Sequence, residues 1–112
     1  MAVDIQKLFD EELPASLAKY PDQAKQIGGT FQFIITREGG GEWWIDASET
    51  GPRSQSGNRQ ADVTITMAAE DFQTFYANPQ TNAISLFFAG RIQIAGNEML
   101  AKNFVTLFSL GS

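Results

Sequence analysis

Apolar residues first recur three and four apart along this chain, then switch to strict alternation. Val3, Ile5, Leu8, Phe9 and Leu13 stand near helical spacing, with Asp4 placed early, where a carboxylate suits the helix dipole. Pro14 ends this helix or opens another turn. Residues 15–20 form a second short turn with Leu17 and Tyr20 three apart, and Pro21-Asp22 and Gly28-Gly29 bracket a third at 23–27. Alternation begins at residue 30. Over 30–36, Phe31, Phe33 and Ile35 face one way and Gln32, Ile34 and Thr36 the other, which is a strand. Glu38-Gly39-Gly40-Gly41-Glu42 reads as a hairpin connection, since it lacks the Lys-Ser/Thr of a phosphate loop. In a second strand, 42–47, Trp43, Ile45 and Ala47 share a face. The charge of Asp46, beside Trp44, marks the opposite face as solvated. Residues 49–60 are polar and form a long turn or a weak edge strand. Residues 62–67 are a strand with Val63, Ile65 and Met67 inward.

The second half is more apolar. A helix over 69–76 carries Phe72, Phe75 and Tyr76 on one side, with Glu70 and Asp71 in its first turn. Asn78-Pro79 breaks it, and a helix over 80–89 follows with Ala83, Ile84, Leu86, Phe87 and Phe88. Gly90 suits a left-handed helix end, 91–95 alternates as a short strand with Ile92 and Ile94 inward, Gly96 turns the chain, and Asn97 caps a last helix over 98–110. That helix is apolar over more than a narrow stripe, so it is deeply buried or faces two apolar environments. Helices, an antiparallel meander of three or four strands, two helices, a strand and a helix make an α+β pattern, with helices packed on one face of a twisted sheet.

Composition narrows the chemistry. The 112 residues contain no Cys and no His, which removes disulfides, thiolates, the usual general base and the commonest metal ligand. A net charge of −5 argues against nucleic acid or an anionic membrane surface as the main partner. Phe, with nine copies, dominates the aromatic set and brings area without a polar handle. No apolar run reaches the ~18 residues of a membrane span, and the N-terminus lacks a signal-peptide pattern, so a cytoplasmic protein without stable membrane insertion is expected.

Several segments together resemble the sterol carrier protein 2 domain family, the SCP2-like non-specific lipid-transfer fold. They are Phe31-x-Phe33, the Gly-rich hairpin into Trp43-x-Ile45-Asp46, and Ala61-Asp62-Val63-Thr64-Ile65-Thr66-Met67 before Glu70-Asp71-Phe72. The most specific is Phe87-Phe88-x-Gly90-Arg91-Ile92-x-Ile94-x-Gly96-Asn97-x-x-Leu100-Ala101. Ala68 stands where the family often has a capping Ser, and Leu110-Gly111-Ser112 is not a peroxisomal tail, which points to a bacterial, cytosolic member. The resemblance implies a single domain over 1–112, with a five-stranded, mostly antiparallel sheet covered on one face by helices. Between them it implies an apolar tunnel for a fatty acid, fatty acyl-CoA, phospholipid or sterol-like ligand.

The helical aromatics then take on a binding role. Phe72, Phe75, Phe87, Phe88, Met99, Leu100, Phe104, Leu107 and Phe108 are expected to line the cavity above Phe33, Ile35, Trp43, Ile65, Ile92 and Ile94. A packed core is the alternative reading of the same stripes. Residues 105–110 are a candidate lid, because chain ends fray. Arg91 either meets a lipid head group or is a surface charge on an edge strand. Trp44 and Ile34 either pair across the hairpin or mark a protein contact. Asp46, Asp62, Glu70 and Asp71 do not form a catalytic or metal set, so no cofactor and no enzymatic activity are expected. The competing function is an interaction or scaffold domain with a collapsed cavity. No feature specifies an oligomeric state.

Overall fold

A computed structural model describes residues 3–48, 53–108 and 110. Its centre is a five-stranded sheet: β1 (Thr30–Thr36), β2 (Gly41–Asp46), β3 (Arg53–Ser56), β4 (Val63–Ala68) and β5 (Gln93–Gly96), in the order β3-β2-β1-β4-β5. Three pairings are antiparallel, but β1 and β4 run parallel, with Phe31 opposite Val63 and Phe33 opposite Ile65. The expected antiparallel meander is therefore corrected. After the β1-β2-β3 hairpins the chain crosses back and adds β4 beside β1. Periodicity could not show this, because a buried face alternates identically in either direction. The polar run contains an edge strand, β3, while residues 49–52 lie outside the described residues.

The N-terminal helix does not stop at Pro14. It continues through α1 (Ile5–Lys7), a π-helical stretch (Leu8–Glu12) and α2 (Leu13–Lys19). The π turn, closed by the Leu13 amide donating to the Leu8 carbonyl, comes just before the proline. In this register Pro14 has no N–H to give the Phe9 carbonyl, which accepts from the Ser54 hydroxyl at 3.3 Å instead. Helix α3 (Pro21–Ile27) follows. Helices α4 (Ala69–Ala77) and α5 (Pro79–Phe88) meet at Asn78-Pro79, with Glu70 and Asp71 in the first turn of α4 as expected.

The last helix is also corrected. It is a short α6 (Glu98–Ala101), capped by Asn97 Oδ1, then a turn and a 3₁₀ segment (Phe104–Phe108). In 3₁₀ geometry residues three apart eclipse. Phe104 and Leu107 thus lie on the same side, and both are buried. The short strand begins later than expected, so the buried Ile92 precedes it and Ile94 is half-buried within it.

Helices cover the face carrying Phe31, Phe33, Ile35, Trp43, Ile45, Val63, Ile65 and Met67, all buried. The opposite face is not simply solvated. Gln32 is 1 % exposed, Asp46 3 % and Trp44 7 %. The loop after β3 passes beneath Gln32 and Trp44: Gln32 Nε2 donates to the Gly57 carbonyl at 3.0 Å, and the Arg59 amide donates to Gln32 Oε1 at 2.8 Å. The Arg59 guanidinium lies 5.3 Å from the Trp44 ring centre. Asp46 Oδ1 accepts from both the amide and the hydroxyl of Ser48, a local Asx-type arrangement at the strand end. Trp44 sits opposite Gln32, not Ile34.

At the start of the parallel pair, the Thr30 amide donates to Asp62 Oδ2 at 3.0 Å and the Asp62 amide donates to Thr30 Oγ1 at 2.9 Å. The Asp62 carbonyl also accepts from the Asn97 amide at 2.9 Å, holding the end of β5. Gly96 lies against this point at φ 109°, where an added Cβ would meet the Asp62 carbonyl oxygen. Gly90 has φ 76° but open space around it. Gly90→Ala is therefore expected to cost only the left-handed penalty, about 1–2 kcal/mol. Gly96→Ala adds a clash with backbone and should cost more. Urea unfolding of the two variants checks the order.

Candidate functional site

The covered face of the sheet is filled by aromatic rings drawn from four parts of the chain. Phe33 comes from β1, Trp43 from β2, Phe72 and Phe75 from α4, and Phe9 from the π-helical turn. Phe9 stacks on Trp43 with ring centres 4.5 Å apart and an interplanar angle of 10°. The next residue, Asp10, accepts a 2.8 Å hydrogen bond from Trp43 Nε1. The N-terminus is drawn onto α4 as well. The Val3 amide donates to Gln73 Oε1 and Gln73 Nε2 donates to the Val3 carbonyl, both at 2.7 Å.

Phe108, on the 3₁₀ segment, enters this ring cluster edge-on. Its ring centre lies 5.9 Å from Phe9, 5.7 Å from Phe33, 5.7 Å from Phe72, 5.3 Å from Phe75 and 6.3 Å from Tyr76, all at 77–88°. Phe104 stacks on Phe75 at 5.3 Å. Beside Phe108 is a pocket of about 110 Å³, walled by Leu8, Leu13, Leu107 and Leu110, with Glu12, Ser16 and Tyr76 supplying polar atoms. This is well below the ~300–1,000 Å³ of ligand pockets. A larger cleft, about 300 Å³, lies between Val3–Ile5 and Glu38, Gly39, Ala69, Glu70 and Gln73. It is wide open and flanked by acids. The lining of the smaller pocket is mostly polar, but it is the better candidate because Leu107 and Phe108 in its wall also pack into the aromatic interior.

The expected site residues separate into two groups. Phe33, Ile35, Trp43, Ile65, Phe72, Phe75, Ile92, Phe104 and Leu107 are buried, with Phe108, Ile94 and Leu100 packed at the edge of the same cluster. Phe87, Phe88 and Met99 are not brought to it. They are 50 %, 83 % and 76 % exposed. Arg91 forms a 3.0 Å ion pair with Asp71 and does not stand alone on an edge. Sequence reasoning did not place Leu8, Phe9, Leu13 and Glu12 at the site. The i, i+4 pair Phe9 and Leu13 was the available signal. Among the described residues, no group of three or more acidic side chains is arranged to hold a metal.

This order of strands, with helices closing one face, defines an α+β sheet fold shared with solved sterol carrier protein 2 domains. The Helicoverpa armigera domain aligns with a TM-score of 0.66 at 26 % identity, covering 95 % of this chain and 87 % of that one. The apo Yarrowia lipolytica protein gives 0.70 at 19 %, covering 95 % and 86 %. The model of the SCP-2 sterol transfer family matches residues 7–109, and the chain belongs to that family. Human sterol carrier protein 2 is 36 % identical over 102 residues, covering 84 % of this chain but only 18 % of the human protein. The chain thus spans about a fifth of the length of that relative.

Tyr76 offers a test of the pocket's environment. Burial, and secondarily the Glu12 carboxylate, raise its pKa above the ordinary 10.0. The unfolded chain therefore loses this proton first as pH rises, so stability should fall as pH climbs past the unfolded value and through the raised one. Tyr76→Phe is expected to flatten that alkaline loss. Urea unfolding between about pH 9 and 11 measures it.

Proposed function

We propose that this chain binds and carries an acyl-chain lipid or sterol-like ligand without covalent chemistry, in a tunnel that opens when Phe108 leaves the aromatic cluster. One observation carries the reading. Phe108 is wedged edge-on among five aromatic rings, on a short 3₁₀ segment beside a pocket that it helps to line. Membership of the SCP-2 sterol transfer family supports lipid as the ligand class.

The magnitudes permit the exchange. Burying a sixteen-carbon chain at ~0.8 kcal/mol per methylene returns about 12 kcal/mol gross, against about 1.5–3 kcal/mol for the phenylalanine it displaces. Ordering and association costs remove several kcal/mol more, leaving affinity in the region of micromolar or tighter. The wedge lowers apparent affinity by the fraction of molecules in which it is closed. Such a site needs no specific hydrogen bond, and the adaptable Met67 in its floor suits ligands of varied shape.

A filled interior is also what an interaction or scaffold domain would have. Organic extraction and mass spectrometry of the purified protein, followed by titration with a fluorescent fatty acid, separates the two. Co-purifying lipid and saturable uptake are expected. Absence of both excludes the carrier. Phe108→Ala should bind about tenfold more tightly while losing stability without ligand. In a scaffold it would lose stability and gain no binding. Phe104→Asp, which places a charge inside the cluster, should abolish uptake.

A further inference from the structure

Helix α5 has an apolar face that no described residue covers. Ile84, Phe87 and Phe88 occupy i, i+3 and i+4 and therefore share one side of the helix. They are 62 %, 50 % and 83 % exposed, and the two phenyl rings touch each other with centres 5.9 Å apart. The segment that carries them is uncharged, with its nearest charges in sequence, Asp71 and Arg91, paired to each other. Residues 72–90 contain no Asp, Glu, Lys or Arg, in a chain whose charged content is 19 %.

We infer that this face is a reversible docking surface for a lipid bilayer with electrically neutral headgroups. Two features decide against other occupants. The three side chains offer on the order of 400 Å², about half of the ~800 Å² that each partner contributes to a stable protein complex. Two copies, each with a net charge of −5, also repel one another, and the face has no charge of its own to offset this or to fix the register of a protein partner. A bilayer asks for neither. A few apolar side chains seated at the boundary between headgroups and acyl chains suffice for weak binding, and an uncharged face loses no ion hydration on entering. No helix among the described residues is long and apolar enough to cross a membrane, so the contact is peripheral. The inference takes its purpose from the carrier reading, since a carrier must meet the membrane it loads from. Its readout needs no bound ligand.

The test is co-sedimentation of the whole chain with phosphatidylcholine vesicles, at low and at high salt. Binding is expected at both, with no gain when anionic phosphatidylglycerol is added. Phe88→Ser and Ile84→Ser, at exposed positions, should keep the wild-type unfolding curve and weaken binding about tenfold each. Phe88→Trp should keep binding and give a tryptophan emission that shifts to the blue on adding vesicles. The inference is overturned if the wild-type chain stays in the supernatant, or if Phe88→Ser sediments like wild type. It is equally overturned if binding requires anionic lipid and salt removes it, or if sedimentation equilibrium shows a dimer that Phe88→Ser dissociates. Failure of the fluorescent fatty acid to bind in vesicle-free solution would strike the carrier reading alone.

Discussion

The stack of Phe9 on Trp43 is the contact on which the interior depends. One indole meets two successive residues of the N-terminal helix. Its face takes the Phe9 ring and its N–H takes the Asp10 carboxylate. In a regular α-helix neighbouring residues point about 100° apart and do not converge on one side chain. The π turn over Leu8–Glu12 locally changes that spacing, and both residues reach Trp43. The helix is thereby fixed to β2 at a point that is apolar on one side and polar on the other. Phe33, Phe72 and Phe108 then pack around Phe9. Together with the Val3–Gln73 bonds, this anchor fixes the helix beside the phenyl ring that the C-terminal segment inserts.

Much of this was legible from spacing. Alternation fixed which residues of β1, β2 and β4 face the helices, because a strand has only two faces and apolar side chains occupy one. The acids of α4, the cap at Asn97 and the glycines flanking β5 were legible for similar local reasons. What spacing could not give was long-range. The direction of β4 relative to β1 depends on where the chain travels between them. The burial of Gln32 and Trp44 depends on a loop, residues 57–60, whose polar sequence hides that it packs under the sheet. The site divided along the same line. Phe33, Phe72 and Phe75 lie on faces that must be buried, whereas Phe87 and Phe88 lie on a helix whose inward needs are already met by Ala83 and Leu86. A pattern counts apolar residues, but it does not say how many a core can hold.

The two aromatic regions differ in how they are held. Phe108 meets five other rings, yet its segment has the poorer hydrogen-bond geometry of a 3₁₀ turn. Phe88 belongs to a regular helix but has little beyond Phe87 to touch. The first combines good packing with a weak backbone, and the second combines a firm backbone with poor packing. Under the carrier reading it is the first segment that would give way to a ligand, while the helix that carries the second keeps its shape.

The reciprocal bonds between Thr30 and Asp62 have a bearing on folding kinetics. The hairpins β1-β2-β3 are local and can form within microseconds. The parallel pairing of β1 with β4 has to close a loop of about thirty residues before any ladder bond repays the entropy. Sliding by one residue would present Thr64 and Thr66 to the aromatic interior. A two-way clasp at the first rung selects the register at the moment of closure, when few other contacts exist to correct it. Asp62 is exposed and Thr30 half-buried, and both add little to the finished apolar core. Their weight falls on the search that precedes it, so their loss would show in the refolding rate before it showed in the shape of the native state.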